Sequence, residues 1–284
     1  MLKCASTIVA GTLLALLIVA PSAFGAQRTF VSAQSGIDGN PCTVAAPCRG
    51  FAAALASTDA GGEIVVLDSG GYGPVTITKA VAIHAPAGIH AAISVFSGNG
   101  IAVTAGAADS VTLKGLSITG QGGTTGIAFS SGASLFVIDC SVSGFSYAGL
   151  VFNAAAPTSV GVVDRSVFTN NQYGISNGAG ILTVRNSIAS KNSGAGMLIF
   201  GLAATGGATL DVFDSLLDSN GTGLHALTNN GGPSHVRLSG NRITNNTTGI
   251  NVSGNSDAVS IGNNMIRGNG TDKTGVGISV VAGD

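Results

Sequence analysis

A unit of about 25 residues recurs down some two thirds of this chain, and a fixed period of short apolar runs and turns marks a stacked array whose units cannot bury their apolar sides alone. The clearest copy is Val212-Phe213-Asp214-Ser215-Leu216-Leu217-Asp218-Ser219-Asn220, closed by Gly223-Leu224. Equivalent starts fall at Leu113, Ile138, Val163, Val184, Val212, Leu238 and Ile261. Three residues on stand Leu116, Ser141, Ser166, Ser187, Ser215, Asn241 and Asn264. Later units place Asn171, Asn192, Asn220, Asn246 and Asn269 at one shared offset. A Gly-apolar pair closes each unit: Gly126-Ile127, Gly149-Leu150, Gly174-Ile175, Gly196-Met197, Gly223-Leu224, Gly249-Ile250 and Gly277-Ile278.

The starts form an apolar column. Two residues earlier Val111, Phe136, Leu182, Leu210, Val236 and Val259 nearly repeat it, so both columns are expected to face inward. Between them lies a mixed, outward set: Thr112, Val137, Val162, Thr183, Asp211, Arg237 and Ser260. Like residues then stack at the inter-strand spacing of about 4.8 Å, which lets the Asn amides hydrogen-bond along the axis as a ladder. Before the repeats, Ile64-Val65-Val66-Leu67, Val75-Thr76-Ile77 and Val81-Ala82-Ile83 are short alternating strands that fit one three-sided coil. Ile93-Ser94-Val95 and Ile101-Ala102-Val103 add another. Residues 26–46 are polar, with Asp38-Gly39-Asn40-Pro41 as a turn. Phe51 and Leu55 stand four apart among alanines, predicting a short helix that Gly61-Gly62 stops and that covers the apolar end of the first coil. At the other end, Gly277-Ile278-Ser279-Val280-Val281 reads as a strand with no capping helix.

The stretch Gly61-Gly62-Glu63-Ile64-Val65-Val66-Leu67, then Gly71-Tyr72-Gly73-Pro74-Val75-Thr76-Ile77, then the Val-x-x-Asn units, resembles the pectin-lyase-like superfamily. The resemblance implies an all-β fold: a right-handed single-stranded parallel β-helix, here of about nine coils with a short N-terminal capping helix. The expected divisions are a leader over 1–25, an N-terminal segment with the capping helix over 26–62, and the β-helix over 63–284. That superfamily holds polysaccharide lyases, hydrolases and adhesins, so the repeat specifies architecture and not activity.

The leader is read from Lys3, the apolar run Ile8 to Ala20 and the small residues around Ala23-Phe24-Gly25, with cleavage after Gly25. The apolar run is short of the ~20 residues a membrane span requires. A secreted or periplasmic location follows. In an oxidising compartment Cys42 and Cys48, which bracket five residues, are expected to form a disulfide; a metal clip has no nearby His or second Cys pair. Cys4 leaves with the leader, and Cys140, grouped with Gly115, Arg165 and Asn186, is a spectator thiol. With 12 basic and 13 acidic residues in the whole chain, no basic field exists to hold nucleic acid.

The best chemical constellation is an outward column after the repeat start: Lys114, Asp139, Asp164 and Arg185, followed by Phe213, Ser239 and Gly262. Asp139 and Asp164 one rung apart could share Ca²⁺ or make one another a general acid. In a lyase like the pectate enzymes, Arg185 or Lys114 would remove the proton. The bland alternative is a charge ladder whose members relieve one another. The polygalacturonase signatures are absent: the four histidines precede Ala85, Ala91, Ala226 and Val236, and Glu63 is the only glutamate. Asp211, Asp214 and Asp218 read as face and loop residues; His225 and His235, which could meet across adjacent units, read as surface residues without an orienting carboxylate. The insertion Gly201 to Gly207 is long and apolar, in the manner of solenoid binding loops, but holds no aromatic residue. On the strand after each Gly, Ala128, Val151, Ser176, Leu198, His225, Asn251 and Ser279 form an uncharged face suited to another subunit or a flat polysaccharide.

The sequence reading favours a non-catalytic exported protein that contacts glycans or cell-surface material, with no cofactor. Two alternatives stay open. One is a polysaccharide lyase or glycoside hydrolase acting on an acidic polysaccharide, the only case in which Ca²⁺ enters. The other is a structural or adhesive element that self-associates through the C-terminal coil or the uncharged face.

Overall fold

In a computed structural model, residues 26–229 and 231–281 are described. The predicted leader, 1–25, lies outside the described residues, as do Asn230 and residues 282–284. The chain winds as a parallel β-helix of three faces. Every strand pairing is parallel, to the equivalent strand of the coil before and the coil after. The second face is a nine-stranded sheet. The first and third are joined as one 19-stranded sheet, because the 13-residue strand Tyr173–Arg185 passes from one to the other without a break.

The apolar columns fill the interior. On the first face Leu113, Val137, Val163, Val184, Val212 and Leu238 are in register and almost fully buried. On the second, Ile118, Val142, Phe168, Ala189, Leu217 and Ile243 do the same. The third stacks Phe129 on Phe152, ring centroids 4.7 Å apart. Alternating side chains of a pleated strand point to opposite faces, so each such column is a continuous core line.

Three sequence assignments are corrected by the register. Ile138 and Ile261 are not in the inward column: Val137 pairs with Leu113 and Val163, and Ser260 pairs with Leu238. Their neighbours shift with them, so Leu135 and Ala258 face inward in place of Phe136 and Val259. Gly277-Ile278 is not a closing pair. The third face ends with Thr271–Gly275, Lys273 opposing Ile250, and Ile278 already pairs with Ala258 on the first face. The first slip falls where Val137 and Ile138 are both apolar and hydropathy cannot say which one points inward; at Ser260-Ile261 hydropathy points the wrong way, since the serine is buried and the isoleucine exposed.

Two polar ladders close the corners. At the turn from the second to the third face, each Asn Oδ1 accepts the backbone N–H and the amide N–H of the Asn one coil earlier: Asn171 to Asn192 at 3.1 and 3.2 Å, Asn192 to Asn220 at 3.0 and 2.9 Å, Asn220 to Asn246 at 2.8 and 3.0 Å. The run opens with the Phe145 N–H on Asn171 and ends on the Asp272 carboxylate, which accepts both N–H groups of Asn269. At the other corner Ser166, Ser187, Ser215, Asn241 and Asn264 accept the N–H groups of Cys140, Ser166, Ser187, Ser215 and Asn241. These buried N–H groups have no water to turn to, so the side-chain acceptors satisfy them. Beside the Asn ladder, Gly174 leaves room for its neighbour: a Cβ there would lie 2.5 Å from the Gly196 carbonyl oxygen.

The N-terminal end is covered as the sequence suggests. Helix α1, Phe51–Ser57, buries Phe51, Ala54 and Leu55, and Phe51 lies 5.2 Å from the Tyr72 ring. It ends before the glycines, at Thr58, whose hydroxyl donates to the Ala54 carbonyl. Strand β1, Ala26–Val31, lies in the stretch given no element above, and adds a rung beside strand β2, Thr58–Val66. The Asp68 carboxylate anchors the following loop by accepting the Ala33 and Gln34 N–H groups. Cys42 and Cys48 are joined as a disulfide and fully buried.

Candidate functional site

The corner from the first to the second face sets the site. One residue per coil there takes a left-handed backbone: Gly115, Asp139, Arg165, Asn186, Asp214 and Gly240, with φ between 47° and 74°. Asn, Asp and Gly tolerate this region best, and it breaks the strand alternation. The residue at this corner is therefore exposed, next to the outward last residue of the strand. Lys114, Asp164 and Arg185 occupy that strand position, as predicted, with Ile138 between Lys114 and Asp164. Asp139 stands one residue further on, in the corner column with Arg165.

That offset decides the electrostatics. The Arg165 guanidinium binds Asp139 through two hydrogen bonds, Nε to Oδ1 at 2.8 Å and Nη2 to Oδ2 at 3.2 Å. Its Nη1 donates to Asp164 Oδ2 at 2.6 Å. Arg185 reaches the same oxygen at 3.4 Å, and Asn186 donates to Asp164 Oδ1 at 3.1 Å. Asp164 is 5% exposed while Arg165 is exposed, so a buried carboxylate is held by a surface cation. Hydrogen bonds from Arg165 hold the Asp139 carboxyl below the ordinary value of 3.8, with Lys114 adding to the effect. All four carboxylate oxygens thus accept from a cation or amide. Two guanidinium charges on these carboxylates oppose a Ca²⁺ there. Arg165, absent from the candidate residues, is the hub; the signal for it was the residue directly after Asp164 in a corner that breaks alternation.

Beside this network, an open cleft of about 480 Å³ is lined by His84, Pro86, Gly88, Lys114, Gly115 and Asp139. Lys114 makes no ion pair within it among the described residues, and His84 lies 3.5 Å from Glu63. The cleft therefore offers a cation to an anionic group.

The other candidates separate. His225 lies on the third face beside Asn251, and His235 on the first face against Asp257, so the two do not meet. Burial lowers the His225 pKa. Asp211 is gripped by Arg237, as a cross-rung pair. Cys140 is not in the Gly115 column: it occupies the buried position of Leu116 and Ser166, where burial pushes its thiol up to about 11. The insertion packs its glycines against Pro233. On the uncharged third face Ser176 and Leu198 are buried, and Thr274, not Ser279, opposes Asn251. Among the described residues no three His, Cys, Asp or Glu side chains cluster as metal ligands, and no helix is long and apolar enough to cross a membrane.

Residues 58–212 match the family described as the right handed beta helix region. No curated protein matches the chain. Among solved structures, that of pectate lyase Pel9A is similar with a TM-score of 0.60 and 16% identity, over 89% of this chain and 78% of the other. The complex of XylC with xylose is similar with a TM-score of 0.66 and 10% identity, over 82% of this chain and 65% of the other. At these identities the likeness establishes the fold.

Proposed function

For a chain that belongs to the right-handed β-helix family, we propose a non-catalytic role: an exported protein that contacts polysaccharide or cell-surface glycan through the outside of its coils. The observation that carries this is the Arg165 network. The Asp139 and Asp164 carboxylates accept hydrogen bonds from Arg165, Arg185 and Asn186, and the positive charge of the two guanidiniums opposes a Ca²⁺ beside them. Support for a glycan comes from the fold shared with a pectate lyase and with a protein bound to xylose, an analogy of architecture. Support for export comes from the Cys42–Cys48 disulfide, which persists in oxidising compartments.

The test is a panel of polyuronates and neutral polysaccharides, incubated with the protein and assayed for reducing ends and unsaturated products, alongside a glycan array. Array binding without product, unchanged in Asp164→Ala, is the expected result. Product formation that Lys114→Ala abolishes would replace this reading with a polysaccharide lyase. That second reading draws on one observation, the Lys114 ammonium facing the cleft without an ion-pair partner among the described residues.

A further inference from the structure

Five successive coils stack their turns between the second and third faces, 96–98, 121–124, 144–147, 170–173 and 191–194. Backbone bonds link the tiers: Thr124 N–H to Gly98 O at 2.7 Å, Tyr147 N–H to Thr124 O at 3.0 Å, Tyr173 N–H to Tyr147 O at 2.8 Å, and Gly194 N–H to Gln172 O at 2.8 Å. Three aromatic rings stand on this ridge. Phe96 is 71% exposed, the highest of the large apolar side chains. Tyr147 and Tyr173 are half-buried and meet edge to face with centroids 5.6 Å apart. The Tyr173 ring lies over Gly194, where an added Cβ would sit 2.8 Å from its Cε1. The missing side chain at 194 leaves room for the ring there.

A core position would not leave Phe96 in water, and neither tyrosine hydroxyl has a hydrogen-bond partner among the described residues. Exposed Gln121 and Gln172 flank the rings, and across the five turns only Lys191 is charged. The tiers repeat at about 4.8 Å, so Phe96 and Tyr147 are about two rungs apart. A pyranose ring presents axial C–H groups to the negative face of an aromatic ring, and its hydroxyls pair with amides and phenols. With one cation across five turns, the surroundings repel no neutral chain and do little to attract an acidic one.

We infer that the Phe96, Tyr147 and Tyr173 ridge is a stacking platform for a neutral polysaccharide chain running along the coil axis. It is separate from the Lys114 cleft, on a different corner of the helix. The inference rests on the glycan-contacting reading above and assigns it a place and a substrate class.

Two of the protein's three tyrosines lie on the ridge and it has no tryptophan, so tyrosine emission reports on this surface directly. The experiment titrates the protein with xylohexaose and, separately, with hexagalacturonate, following emission and heat. Xylohexaose is expected to alter the emission and to bind about tenfold more weakly to each of Phe96→Ala and Tyr147→Ala, while Tyr147→Phe, which keeps the ring and loses only the phenol, falls between wild type and Tyr147→Ala. Phe96→Ala removes an exposed side chain and leaves the fold intact, so a loss there is a loss of contact. If both alanine variants bind xylohexaose like the wild type, the ridge is not the site. If the wild type binds hexagalacturonate alone, with the loss confined to Lys114→Ala, the ridge inference falls and the glycan reading stands. If it binds neither, and the glycan array is blank, the glycan reading falls and the ridge with it.

Discussion

Asp139 shows how much a single backbone angle decides. Its φ of 53° takes it out of the strand and sets its carboxylate beside Arg165, which stands at the same corner of the next coil. Its folded pKa lies below the ordinary 3.8, so the pair contributes stability that is present above that value and is lost as pH falls through the folded one. Thermal melts should therefore separate wild type from Asp139→Asn at neutral pH and draw together as pH falls below the ordinary 3.8; a constant gap would remove the ion pair as its cause. The gap itself is small, because Asp139 is exposed and solvent screens the pair. Cys140 is the opposite case. Burial, with the thiol pushed up to about 11, leaves it both shielded and protonated at neutral pH. It should resist a thiol-specific disulfide reagent in the folded protein and react at once on unfolding. Rapid reaction under native conditions would contradict its place in the core.

The elements of this protein are columns rather than strands, and the columns were largely legible. The Asn offset predicted a ladder, and each Oδ1 does meet the N–H groups of the preceding coil. Replacing Asn220 by Ala strips the Asn192 N–H of its acceptor in a site closed to water, and should cost about 2–4 kcal/mol in urea or thermal unfolding. Asn220→Asp keeps an acceptor for Asn192 but sets a charged oxygen where Nδ2 donates to the Ala189 carbonyl and Asn246 Oδ1, so it should cost no less than Ala; a mild loss would contradict these bond directions. What the sequence concealed has one physical origin. Val137-Ile138 offers no hydropathy contrast and Ser260-Ile261 a misleading one, and a one-residue slip moves a side chain to the other face. The left-handed residue fixes the phase, but only where Gly, Asn or Asp advertises it; Arg165 adopts it without doing so. Lys114, Asp164 and Arg185 share one strand position, Asp139 stands one residue further on because Ile138 takes the place between them, and Arg165 emerges only from the fold. The aromatic ridge was hidden for another reason: its members come from coils whose turns differ in length, so no shared offset joins Phe96 to Tyr147.

Across the whole molecule, contacts run between neighbouring coils, so protection should follow position along the axis. The first coil is closed by α1 and the disulfide. In the last described coil Ile261, Met265, Val276 and Val280 are exposed, each at 42% or more. Native-state hydrogen exchange should find the slowest amides in the coils of 134–252 and the fastest in 256–280; a uniform profile would mean that the array unfolds as one cooperative body. The Asn run adds something else. Every member takes from one side what it gives on the other, and Asp272 receives the last pair of protons. Excising 193–220 would join Asn192 to Gly221 and bring it against Asn246 as Asn220 was before. Along this ladder the seam would not show, although Arg237 would lose Asp211, so such a chain should still fold, one turn shorter: an architecture that can change its length by whole units without renegotiating either end.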